Sequence, residues 1–402
     1  MLYSRDILKK IERVISREEF IILTGARQTG KTSLLLMLKS GLEKKGHLCH
    51  YFNLENPEHL KFFNEHPFNL LEAIPTQKTK QYVFIDEIQY LADPSNFLKL
   101  LYDEKRAQVK IIVSGSSSFY IDKKFHDSLA GRKFLFEIYP LNFDEFLLFK
   151  GEEKLLLEKG KKLSLYLQKK VSELWQEYVV YGGYPKVVLA EKPEMKKILL
   201  EEIGASYIKK DIADAGIRNS EKYFFLLRLL AEQTGQLVNS QELAGTLGIV
   251  HKTVEEYLYV MKKSYQVAFI VPFYKNLRKE LVKMPKVYFY DLGLRNFFLD
   301  DYSAPEKRKD KGAYLENIIF CGLLKEIKDA GKIKFWRTQD QKEVDFVVRN
   351  RAYEVKYDSA KLKEGKYAIF KTEYPDIEFS FLTQKDVLKR FYGWDDVTQI
   401  GL

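Results

Sequence analysis

The chain has 402 residues, 46% hydrophobic and 30% charged, a balance that excludes a disordered polymer and predicts two to four globular domains. Its 66 Lys and Arg against 56 acids leave +10, a field that favours polyanions but is also common in lysine-rich proteins without such a partner. No run of 18 apolar residues occurs, so no membrane partner is expected.

Residues 1–19 read as an amphipathic helix, with Ile7, Leu8, Ile11, Val14 and Ile15 on one stripe and no apolar signal-peptide core. Phe20-Ile21-Ile22-Leu23 predicts a strand, and Ser33 to Leu38 a helix. Between them stands Gly25-Ala26-Arg27-Gln28-Thr29-Gly30-Lys31-Thr32. Glycines let such a turn fold tightly, so that successive amides and the helix N-terminus point at one anion. Lys31 reaches the β- and γ-phosphates of a polyphosphate, and the Thr32 hydroxyl can ligate Mg²⁺. Gly25 through Ser33 form the candidate phosphate-binding set.

A second strand is predicted over 48–54. His47-Leu48-Cys49-His50 at its approach lacks a second ligand pair at metal spacing. Cys49 and Cys321 are expected to be reduced thiols of a cytoplasmic protein. Tyr82-Val83-Phe84-Ile85 then predicts a buried parallel strand ending in Asp86 and Glu87. Ligands of open parallel sheets bind at that edge. Asp86 is placed to hold Mg²⁺ and Glu87 to polarise an attacking water.

Lys110 to Val113 form another strand, ending in serines. Ser114, with Ser116 in reserve, is placed to sense a γ-phosphate, or these serines simply cap a helix. Arg132 precedes a fifth strand, Phe134 to Ile138. It acts on the transferring phosphoryl group, in cis or from a neighbouring copy, or is a surface arginine.

After Pro140 the chain is mainly helical, and Gly182-Gly183-Tyr184-Pro185 breaks it sharply. A helix at 224–230, a capped helix at 239–248, a helix at 252–261 and a strand at 267–271 predict a helix-turn-helix with a wing. His251, Lys252 and Thr253 could meet DNA, although Glu255 and Glu256 oppose phosphate. Lys275, Arg278, Lys279, Lys283 and Lys286 form a better phosphate-tracking run, with a packing role as the alternative.

Near the C-terminus, Val344 to Val348 and Ala352 to Lys356 predict a hairpin. A two-residue loop puts Asp345 on the face of Glu354 and Lys356; a three-residue loop separates them. With Glu316 they are a candidate second metal or nuclease site, or a cross-strand salt bridge.

Taken together, these residues resemble bacterial and archaeal AAA-type ATPases with a C-terminal restriction-endonuclease-like domain of unassigned role. The resemblance rests on the phosphate loop, Ile85-Asp86-Glu87, Ser114-Gly115-Ser116, Ser128-Leu129-Ala130-Gly131-Arg132, Gly182-Gly183-Tyr184-Pro185, the segment from Lys286 to Leu294, Glu316-Asn317, Glu343-Val344-Asp345-Phe346 and Tyr353-Glu354-Val355-Lys356. It implies an α/β chain: a P-loop parallel-sheet core (1–150), a helical segment (151–217), a winged helix (218–285) and a restriction-endonuclease-like α/β domain (286–402). It implies ATP and Mg²⁺ at the first site. The expected activity is an ATP-hydrolysing switch that engages DNA, with homo-oligomers possible. The alternatives are an ATP-gated metal-dependent nuclease and a nucleotide-controlled assembly module that binds protein.

Overall fold

The computed structural model describes residues 3–77, 79–115, 129–274, 284–358 and 364–395. They divide into two compact units, Met1–Tyr139 with Lys263–Tyr265, and Pro140–Lys262 with Gln266–Leu402. Among the described residues no helix is long and apolar enough to cross a membrane.

The first unit begins with helix α1 (Asp6–Glu12), β1 (Phe20–Gly25) and α2 (Lys31–Glu43). The strands β2 (Cys49–Asn53), β3 (Gln81–Asp86), β4 (Val109–Gly115) and β5 (Lys133–Ile138) follow, with α3 (Pro94–Lys105) between β3 and β4. They form one parallel sheet in the order β2-β3-β4-β1-β5. Both faces are buried, which is why the central strands are continuously apolar. Ile21 and Leu23 pack with Leu34, Leu35 and Leu38 of α2, while Phe20 and Ile22 join Phe97, Leu98 and Leu101 of α3 on the other face.

The first helix is shorter than its apolar stripe predicts. It ends at Glu12, and Lys110, fully buried in β4, donates to the carbonyls of Val14 (3.4 Å), Arg17 (2.9 Å) and Glu19. Those carbonyls turn inward to meet the ammonium, which an uninterrupted helix would prevent.

In the second unit, α4 (Leu165–Tyr181) stops at Gly182, whose φ of 77° is left-handed. A Cβ there would lie 2.2 Å from Asp291 Oδ1, and one on Gly183 would lie 2.1 Å from the Leu141 carbonyl oxygen. Asp291 is buried. Its carboxylate accepts from the Gly183 amide (2.7 Å) and from the Leu294 amide (2.9 Å). The glycine pair and the Asp291-Leu292-Gly293 segment, far apart in the chain, are therefore two halves of one joint.

Helices α5 (Ser220–Glu232), α6 (Ser240–Leu247) and α7 (His251–Lys263) precede the antiparallel pair β6 (Val267–Ile270) and β7 (Lys286–Phe289). Asn239 caps α6 by accepting from Gln241 and Glu242, and Gly248 ends it at φ 63°. The β6–β7 pair spans the boundary expected between 285 and 286, and the first compact unit runs to Tyr139. Helices α8 (Leu292–Leu299) and α9 (Lys311–Ile327) lead to a second sheet, β11-β10-β9-β8, built from β8 (Lys334–Arg337), β9 (Glu343–Val348), β10 (Arg351–Val355) and β11 (Glu378–Leu382).

Replacing Asp291 with Ala removes a helix cap and leaves the buried Gly183 amide without its acceptor. The expected loss is about 2–4 kcal/mol, read from chemical denaturation. A variant as stable as the parent would refute the joint.

Candidate functional site

The C-terminal end of β1 and the first turn of α2 build the first site. Gly25 (φ 149°) abuts β5 so closely that a Cβ would lie 2.1 Å from the Ile138 carbonyl oxygen. Gly30 is left-handed at φ 91° and caps α2 without a side chain, so no side chain of the cap competes for the first amides. Gln28 is also left-handed, at φ 61°. Inside the turn Thr29 Oγ1 donates to the Ala26 carbonyl at 2.8 Å. From outside, buried Arg5 donates to the Thr29 carbonyl (3.0 Å) and the Tyr139 carbonyl (2.9 Å). Lys31 is buried, its ammonium folded over the loop and donating to Ala26 (2.7 Å) and Gly25 (3.1 Å) carbonyls. Arg27 is buried, while Thr32 and Ser33 open α2 on its exposed side.

Register brings the acids to the same edge. Asn53 pairs with Asp86 across β2 and β3, and Ile85 with Val113 across β3 and β4. The Asp86 carboxylate is 2% exposed and accepts from three hydroxyls: Thr32 (2.6 Å), Tyr51 (3.0 Å) and Ser114. Burial, then the nearby Asp86 charge, push the Tyr51 phenol well up, so it remains a donor. Glu87 is left-handed at φ 58°, a conformation non-glycine residues adopt at some cost and one that concentrates at functional sites. Its amide donates to Ser114 Oγ at 3.4 Å, and Gln89 Nε2 donates to its carboxylate.

Two of the expected residues are placed as follows. Ser114 lies at the site, but its hydroxyl is engaged by Asp86; Ser116 lies outside the described residues. Arg132 is at the opposite end of the sheet. Phe20 pairs with Lys133 at one end and Gly25 with Ile138 at the other, roughly 17 Å apart. Arg132 Nε sits 2.7 Å from Asp103 Oδ1, which leaves it no role at its own chain's phosphate loop.

The second cluster assembles from β7, α9 and the β9–β10 hairpin. The hairpin loop is Arg349-Asn350, two residues, and Tyr353 pairs with Phe346. Asp345 therefore shares a face with Glu354. Asp345 Oδ2 accepts from the Val355 amide (2.9 Å), and Glu354 accepts from Tyr367 Oη (2.6 Å) and from Lys356 Nζ. Glu316 accepts from Tyr288 Oη (3.0 Å), and left-handed Gly235 makes room for it, since a Cβ there would lie 2.6 Å from Glu316 Oε2.

Lys286 was expected among the residues that track phosphate. It is instead buried in this cluster, its ammonium 2.5 Å from Glu343 Oε1, 3.3 Å from Asp345 Oδ1 and 3.9 Å from Glu316 Oε2. Burial opposes its charge, but Asp345, Glu316 and Glu343 outweigh burial and raise its pKa. Burial and then the Asp345 charge push Glu316 up to about 8 and Glu354 to about 7. Among the described residues no group of three or more His, Cys, Asp or Glu is arranged to hold a metal ion.

Lys275, Arg278, Lys279 and Lys283 lie outside the described residues. His251 and Lys252 are exposed at the start of α7; His251 Nε2 is 2.7 Å from Ser240 Oγ and 3.5 Å from Glu255. Sequence reasoning missed Arg5, Tyr51 and Gln89 at the first site, and Glu343 at the second. Glu343 stands two residues before Asp345, so strand alternation alone could have placed it on the same face.

Residues 17–147 match the AAA domain family, residues 172–303 a domain of unknown function (DUF8612) and residues 311–390 another (DUF4143). The first match spans the five-stranded sheet and its phosphate loop, an AAA-type P-loop domain. An uncharacterized protein of Haemophilus influenzae is 28% identical over 376 residues, covering 89% of this chain and 86% of its own. Uncharacterized protein MJ1544 of Methanocaldococcus jannaschii is 26% identical, covering 86% and 75%. Among solved structures, AMPPCP-bound DnaA from Aquifex aeolicus is 18% identical with a TM-score of 0.28, covering 64% of this chain and 86% of that one. Drosophila ORC bound to DNA is 13% identical with a TM-score of 0.31, covering 69% and 90%.

The buried acids set a pH dependence. The native values of Glu316 and Glu354 lie above the ordinary 4.5, and that of Asp291, raised to about 6 by burial, lies above 3.8. These three groups therefore hold more protons in the folded chain than in the unfolded one between those limits, and their contribution to stability falls as pH rises through about 4 to 8. Thermal melts across that window should show the decline, and Glu316→Gln should flatten its upper part.

Proposed function

We propose that the chain binds ATP at Gly25–Ser33 and hydrolyses it. The observation that carries this reading is the contact between Thr32 and Asp86, which joins the phosphate loop to the acidic strand end with Glu87 beside it. The loop amides and the α2 N-terminus hold the phosphates. Lys31 exchanges the Gly25 and Ala26 carbonyls for β- and γ-phosphate oxygens, keeping a charge-assisted donor throughout. The oxygen donors of Thr32 and Asp86 suit Mg²⁺, a hard cation. When bound, Mg²⁺ supplies neutralisation of charge on the phosphate oxygens. Glu87, released from Gln89, orients a water for in-line attack on the γ-phosphorus, with ADP leaving. Ser114 and Tyr51 hold Asp86 in place, and Arg5 braces the loop from behind.

The coupled output is a change in how the second unit engages DNA. Supporting it are the order α5, α6, α7, β6, β7, which is that of a winged helix, and the exposed His251 and Lys252 at the head of α7. A phosphate-tracking surface loses affinity steeply as salt rises.

The purified chain should hydrolyse ATP with Mg²⁺, and DNA should change the rate. Lys31→Ala should abolish ATP binding by calorimetry. Glu87→Gln should keep binding while hydrolysis falls about 10²-fold or more. Arg5→Ala should weaken ATP binding through the loop. Unchanged binding and turnover in Lys31→Ala would end the proposal, and DNA affinity indifferent to salt would remove its second half.

A further inference from the structure

The C-terminal cluster poses a question separate from the phosphate loop: what balances its carboxylates. The sequence makes Glu316, Asp345, Glu354 and Lys356 a candidate metal or nuclease site, or a cross-strand salt bridge. Between Glu316 and Asp345 the position is already occupied. The Lys286 ammonium sits within 3.9 Å of three carboxylates, Glu343, Asp345 and Glu316, where a bridging cation would sit. A metal held by Asp345 and Glu316 would need oxygen ligands at about 2.1 Å. It would then stand against the ammonium, and the like charges would repel. Nor is Lys286 free to withdraw. Its side chain is 2% exposed, its ammonium lies 5.5 Å from the centre of the Phe335 ring, and its backbone is paired in β7 and bridged to Leu237. Asp345 Oδ2 is taken by the Val355 amide and Glu343 Oε2 by Arg337 (2.7 Å), while Tyr367 and Lys356 both meet Glu354 Oε1 and leave the buried Glu354 Oε2 without a protein partner.

We propose that the Lys286 ammonium is the resident cation of this cluster, that the chain takes no divalent metal there, and that removing the ammonium turns the cluster into a divalent-cation site. The cluster is then a structural core of the second unit, holding β7, α9 and β9 together, and not a metal-dependent phosphodiesterase centre.

Mn²⁺ binding to the full, nucleotide-free chain tests this by electron paramagnetic resonance of the free ion. Wild type and Asp345→Asn should bind Mn²⁺ equally. Lys286→Met, which keeps the apolar stem, should bind a further Mn²⁺ per chain and melt at a higher temperature with the ion present, and Asp345→Asn added to it should reverse both effects. Two results overturn the proposal: a Mn²⁺ site in the wild type that Asp345→Asn abolishes, or a folded Lys286→Met that binds no more than the wild type. Should Lys286→Met fail to fold, the wild type compared with Asp345→Asn decides alone.

Discussion

A single buried carboxylate ties the first unit together at its functional edge. Asp86 ends β3, and its hydroxyl partners come from α2, β2 and β4. A carboxylate at 2% exposure is expensive unless its lone pairs are occupied, so each donor that reaches it offsets a desolvation penalty. That requirement places Thr32, Tyr51 and Ser114 at one point, and with them the ends of the elements they belong to. The parallel register does the rest, since strands that start level also finish level and present their C-terminal residues together.

The second unit uses the same physics with different donors. Asp291 is buried and is met by backbone amides from Gly183 and Leu294. Amides cannot move independently of the chain, so this carboxylate fixes the path of the backbone where Asp86 fixes side chains. The absence of side chains at Gly182, Gly183 and Gly293 follows, because in each case a Cβ would occupy the space that the carboxylate or a facing carbonyl needs. Asn296 adds a second tie, donating to the Val180 carbonyl at 2.8 Å near the exposed end of the α4 hydrogen-bond ladder.

The sheet, its strand ends and the phosphate loop were legible because their causes are local: apolar runs, glycines and acids within a few residues of each other. Asp345 and Glu354 were legible once the loop length was decided, since period-two alternation does the remaining work. What escaped reading depends on distant parts of the chain. Lys286 looks like one more charge in a basic run, and only the arrival of α9 and β9 turns it inward. Arg132 follows a glycine turn in a way that suits catalysis, yet the register of β5 on β1 carries it to the wrong edge. Residues 13–19 keep a helical stripe but bend around the ammonium of Lys110, ninety residues on, which no window of that length contains.

The acidic sites around Asp86 and Asp345 differ in one respect that decides what each can do. Asp86 is met by neutral hydroxyls, so a cation entering the site would displace dipoles and not another cation. Such an exchange costs little, because a hydroxyl that loses the carboxylate can itself become a ligand. Asp345 faces an ammonium whose charge is already matched. A cation entering there must first expel Lys286 from a buried position, leaving either an unpaired lysine or an unfolded strand, and removing one partner of a buried pair is strongly destabilising. Carboxylates surrounded by neutral donors are therefore open to ligands, while carboxylates surrounded by built-in cations are closed to them. Counting acids does not separate the two cases; the charge of the nearest donor does.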